Sequence, residues 1–178
     1  DLRDVALSGG KVAAVEKNIP DSAAKEIVDA NGLIVTPGLL DLHIHAYVGA
    51  SHYGIEPDPN NIAKGVTTAL DAGSSGAGTF LGFRKYIIER SQTRLYALLN
   101  ISSMGMVSNK IGELEDLRWA DVEEAVKVGR SNQDLILGIK ARLSRLQAGE
   151  QDMDALKRAL EACEMLGSFL MIHVGDTR

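Results

Sequence analysis

The chain has 178 residues, 45% of them hydrophobic and 24% charged, which suits a domain with a real core and excludes disorder as its ground state. With 19 Lys and Arg against 24 Asp and Glu, the formal net charge is −5, a poor match for nucleic acid or an anionic membrane surface. Cys163 is the only cysteine, so no internal disulfide and no thiolate metal cluster can form.

Residues 1–36 read as a small β-domain segment. DVALSGGKVAAVE has the pattern of a hairpin turning at Gly9-Gly10. Lys25 to Asp29 reads as a further short strand, with a turn at Asn31-Gly32 after it. From residue 37 the pattern changes. Five apolar, strand-like runs are expected at Gly38–His45, Val66–Gly73, Leu95–Ser102, Leu135–Ser144 and Phe169–Gly175. Helical spacing lies between them at Thr79–Gln92, Glu113–Val128 and Gln151–Leu166, and Cys163 falls on the apolar stripe of the last. Strand alternating with helix predicts an α/β fold with a parallel sheet, as an open doubly wound sheet or a (β/α)8 barrel. No apolar run of ~18 residues is present, so no membrane span is expected. With no basic-then-apolar leader and one cysteine, a cytoplasmic location is expected.

The densest chemical signal is Asp41-Leu42-His43-Ile44-His45, at the end of the first of the five runs. Strict alternation would put Leu40, Leu42 and Ile44 on one face and Asp41, His43 and His45 on the other. Two imidazoles one strand-step apart can reach a single cation, and neutral imidazole suits Zn²⁺. The competing reading is a pair of ordinary histidines. In LILGIKAR, Lys140 and Arg142 share a face, and an inward lysine is costly unless paired or modified. The alternative is a lysine at a frayed strand end, reaching water. Arg142 reads either as a partner for a substrate carboxylate or as half of a structural salt bridge, the latter favoured. His173 ends the apolar run FLMIHVG at the corresponding rim. Gly76, Gly78 and Gly82 miss the dinucleotide-binding spacing by one residue and read as a strand-to-helix turn. Asn100-Ile101-Ser102 matches a glycosylation acceptor but falls on an expected buried strand.

TPGLLDLHIHA, GVTTALDAG, GIKARLS and MIHVG, in that order and at those strand positions, resemble the amidohydrolase superfamily, and most of all its dihydroorotase-like and deacetylase-like branch. The resemblance covers essentially the whole chain. It implies a (β/α)8 barrel, of which residues 37–178 supply about the first five βα units. It implies that His43 and His45 bind one divalent metal ion and His173 a second, with Zn²⁺ the expected ion. Lys140, carboxylated by CO₂, would bridge the two as a carbamate. A metal-activated hydroxide would then cleave an amide (cyclic amide or N-acyl) or ester bond of a small-molecule substrate. The resemblance also implies a sixth-strand histidine and an eighth-strand aspartate acting as general base. No residue here takes either role, so the chain is expected to be part of a longer, apparently truncated enzyme. His52, in the loop after the first strand, reads as a loop or substrate-side residue. A one-metal deaminase of the same superfamily and a catalytically inactive scaffold remain as alternatives, and a homo-oligomer is compatible with the sequence.

Overall fold

The computed structural model describes residues 2–175. The chain divides into two compact units that part between Pro37 and Gly38.

In the first unit, β1 (Asp4–Ser8) and β2 (Lys11–Glu16) form an antiparallel hairpin. Gly9 and Gly10 have φ of +59° and +74°, the left-handed pair a two-residue hairpin turn demands. The Asp4 carboxylate accepts the Ile19 N–H at 2.8 Å and ties the following segment back to β1. The strand expected at Lys25–Asp29 does not form. Ile27 and Val28 are 61% and 79% exposed, so the segment has neither a paired neighbour nor a buried face to fix it as a strand.

The second unit is a five-stranded parallel sheet of β3 (Leu39–Ile44), β4 (Val66–Asp71), β5 (Arg94–Asn100), β6 (Ile136–Arg142) and β7 (Phe169–His173). Its strand order is the chain order, β3-β4-β5-β6-β7. A doubly wound sheet reverses direction at a switch point, and this one never does. The sheet is therefore the first stretch of a (β/α)8 barrel. The helices are α1 (Pro57–Asn60), α2 (Phe80–Tyr86), α3 (Val122–Ser131), α4 (Arg145–Ala148) and α5 (Asp152–Leu166). Alternate residues Leu95, Ala97, Leu99 and Ile101 of β5 and its extension, and Ile139 and Ala141 of β6, are buried in one apolar core. Phe80 and Phe83 of α2 enter the same core, as do Ala155, Ala159, Ala162 and Cys163 of α5.

Two expected elements differ in outline. The helix expected over Glu113–Val128 is broken, because two aspartates each start their own helical piece. Asp116 accepts the Arg118 N–H and opens a 3-10 turn at Leu117–Trp119, while Asp121 accepts the Glu124 N–H and opens α3. Strand β3 is not a simple alternation. Asp41 pairs with Ala69, but the next pair is Ile44 with Asp71, so Leu42 and His43 together stand opposite the single residue Leu70. That bulge corrects the expected faces. Ile44 joins the helix-side core, but Leu40 and Leu42 line an apolar hollow of about 170 Å³ on the other face, with Thr68, Leu70, Tyr96 and Leu137.

A candidate metal centre at the strand ends

The C-terminal ends of the five parallel strands carry the polar groups. His43 is the penultimate residue of β3 and His45 follows the strand, Asp71 ends β4, Asn100 ends β5, Lys140 and Arg142 lie at the end of β6, and His173 ends β7. This is the rim at which (β/α)8 barrels gather their reacting side chains. The bulge in β3 helps to build it. The His43 N–H bonds back to the Asp41 carboxylate at 3.0 Å, and the His43 and His45 ring centres lie 5.4 Å apart at 78° to each other.

Lys140 is the unusual member. It is 1% exposed, and among the described residues no hydrogen bond or ion pair holds its ammonium. Its pKa is lowered, first by burial and then by the Arg142 guanidinium, with Asp71 and Glu113 pulling the other way. Gly73 makes room for it. At φ +89°, a Cβ on Gly73 would stand 2.5 Å from the Lys140 Cβ, so only glycine lets the loop after β4 lie over this side chain.

The imidazoles share that field. Burial, and then Lys140 and His173, lower the pKa of His43. His45 is pushed down to about 4, chiefly by burial, with His43 and Lys140 adding to it. His173 is lowered by burial and by Lys140. Each of these influences favours the neutral ring, which carries a free lone pair. His43, Lys140 and His173 are close enough to act on one another electrostatically. Among the described residues, no group of three or more His, Cys, Asp and Glu side chains is placed to hold a metal ion.

Arg142 is committed elsewhere. Its Nε and an Nη bond the two Glu113 carboxylate oxygens at 2.6 and 2.8 Å, and both side chains are buried. This is the structural salt bridge rather than a free partner for substrate. Asp71 is wholly buried and accepts three backbone N–H groups, from Ala46 at 2.7 Å, Ser74 at 2.7 Å and Gly73 at 3.1 Å. Burial raises its pKa to about 6 against those bonds. The Ser74 hydroxyl lies 3.1 Å from the His45 Nδ1. His52 is a loop residue. Its Nδ1 donates to the Met106 carbonyl at 2.8 Å, and its ring lies against Tyr53, tilted by 48°.

Sequence reasoning named His43, His45, Lys140 and His173 at this rim but not Asp71, Ser74 or Glu113. Asp71 carries a local sign, an aspartate followed by small residues whose N–H groups it can cap. Glu113 carries none, since its partner is 29 residues away.

A parallel sheet in barrel order, with a rim of neutral imidazoles around a buried lysine, defines a protein of the amidohydrolase superfamily, and this chain belongs to it. It is 36% identical over 175 residues to the deacetylase Atu3266 of Agrobacterium fabrum, covering 97% of this chain and 43% of that protein. A crystal structure of a dihydroorotase superposes with a TM-score of 0.87 at 34% identity, over 98% of this chain and 47% of that one. A crystal structure of an adenine deaminase gives a TM-score of 0.86 at 30% identity, over 99% and 47%. The chain thus spans less than half the length of each of these relatives. No family model matches it.

Proposed function

We propose that this chain carries the principal metal ligands of an enzyme that hydrolyses an amide bond, cyclic or N-acyl, or an ester bond in a small molecule. In this reading His43 and His45 hold one divalent cation, His173 a second, and Lys140 bridges them as its carbamate. The observation that carries the proposal is Lys140, only 1% exposed at the rim, with no hydrogen bond or ion pair to its ammonium among the described residues. An ammonium has donors only and cannot ligate a cation. The donor set therefore fits a metal pair only if the lysine is modified, and its environment favours that modification. Burial and Arg142 both disfavour the charged form, so the neutral amine is accessible. The neutral nitrogen adds to CO₂, forming an N–C bond and releasing one proton, and a charge-repelling cation becomes a two-oxygen anionic ligand.

The chain's own residues then do the positioning. At the β3 bulge the two imidazole centres lie 5.4 Å apart, Gly73 leaves space for the lysine, and the Arg142–Glu113 pair fixes the end of β6. A bound pair of divalent ions supplies polarisation of the scissile carbonyl and a lowered pKa for the attacking water. The name of the relative matched along 97% of this chain, a deacetylase, favours an acyl group as the part removed.

The test is Lys140→Ala in the full-length enzyme, with metal content and hydrolysis of N-acyl and cyclic-amide substrates measured together. Loss of activity and of one or both metal ions, with partial return on adding short carboxylic acids, is expected. Full activity without such acids refutes the bridge. The similarity to an adenine deaminase structure motivates a second reading, a one-metal deaminase. A single ion per chain with unmodified Lys140 selects it.

A further inference from the structure

We infer that Asn100 is a positioning residue: together with Asp71 it clamps the backbone of Gly73 onto the stem of Lys140, and so fixes the course of that side chain. The inference rests on the metal-binding reading above only for what the amine of Lys140 goes on to do. The clamp itself stands on hydrogen bonds and close contacts.

Asn100 ends β5 and is the register partner of Lys140 on β6, so the two side chains leave the parallel sheet side by side on one face. Asn100 is wholly buried, where an amide is costly unless its polar atoms are bonded. Its Nδ2 donates to the Gly73 carbonyl at 3.1 Å, and its Oδ1 accepts the Ser102 N–H at 2.9 Å. Both partners are backbone groups with one possible role each, so a single orientation of the amide serves both. Gly73 is held through its N–H as well, which donates to the Asp71 carboxylate at 3.1 Å. Side chains from the ends of two neighbouring strands thus grip both polar groups of one glycine. That glycine lies directly on the lysine. A Cβ added to it would stand 2.5 Å from both Cβ and Cγ of Lys140, and 3.8 Å from the Asn100 Cβ. Its φ of +89° is open to glycine and strained for other residues. With no hydrogen bond or ion pair on the Lys140 ammonium among the described residues, packing of this kind is what orients a side chain that is only 1% exposed.

The experiment strips the full-length enzyme of metal and CO₂ and treats it with limiting acetic anhydride. Acetylation of Lys140 is measured against that of the exposed Lys157 by peptide mass spectrometry. A buried amine reacts only in molecules that have opened locally. In the wild type Lys140 is expected to react more slowly than Lys157. In Asn100→Ala it is expected to react about 5–10-fold faster than in the wild type, the gain in open molecules that follows loss of one hydrogen bond. Asn61→Ala removes another buried amide, bonded to the Pro57 carbonyl ahead of β4, and is expected to leave the Lys140 rate unchanged. The same samples, reloaded with Zn²⁺ and ¹³CO₂, are compared for the ¹³C carbamate signal of Lys140, which is expected to weaken in Asn100→Ala. If Asn100→Ala loses its native circular dichroism, Asn100→Leu, which fills the space and still lacks the donor, takes its place. A Lys140 that reacts no faster in the Asn100 variant, or equally faster in Asn61→Ala, overturns the inference. Faster acetylation with an undiminished carbamate signal overturns the link between clamp and bridge. Faster acetylation with no carbamate even in the wild type supports the clamp and refutes the bridging reading.

Discussion

The Arg142–Glu113 pair shows how charge is managed at this rim. Arg142 follows the buried Lys140 by one strand-step on the same face, so its guanidinium is itself a buried charge. Glu113 neutralises it through two short bonds, with side-chain exposures of only 6% and 2%. Removing one partner of such a pair strands the other charge away from water, at a cost of about 3–5 kcal/mol. Glu113→Ala should therefore lose about that much stability in urea denaturation. Glu113→Ala combined with Arg142→Met should recover most of it, because the double variant buries no lone charge. Equal losses in the single and double variants would mean that the pair contributes packing rather than charge balance. The site residues legible in the sequence were those whose meaning is local. Two histidines one step apart announce themselves at the end of an apolar run. Glu113 does not, because its identity as a partner exists only once the loop after β5 folds back on β6.

At the level of elements, period and length located all five strands of the second unit and the helix α5 to within a few residues. The misreadings come from residues that act against the period. The bulge in β3 inserts one residue between Asp41 and Ile44, and a hydrophobic pattern records which residues are apolar but not where pairing slips. The helix expected from Glu113 failed because aspartates at 116 and 121 prefer to cap rather than to continue. The second of these caps is testable. Asp121 accepts the Glu124 N–H at 2.9 Å, one of the unpaired donors at the start of α3. Asp121→Ala should cost about 1 kcal/mol by thermal or urea unfolding, and Asp121→Ser much less. An alanine variant as stable as the wild type would show that packing of α3 against α5 sets the start of the helix without its cap.

For the second unit as a whole, the parallel sheet is finished on one face only. The helix side is a closed core, with Leu99, Ile101 and Ile139 inaccessible to water. On the other face Leu40 and Leu42 are 67% and 64% exposed, beside Leu137 at 42%. Among the described residues β3 pairs only with β4 and β7 only with β6, so each outer strand has a row of backbone groups without a ladder partner. A contiguous apolar hollow between two open strand edges is the arrangement that favours association. The 178-residue chain on its own is accordingly expected to bind the dye ANS in its folded state. Its mass in sedimentation should rise with concentration above the 19.1 kDa of one chain. Leu42→Glu should lower both the dye signal and the association, because a carboxylate in the hollow is costly to desolvate, while leaving the helix-side core intact. A monodisperse 19.1 kDa species that ignores the dye would mean that this face is covered in solution by the chain itself.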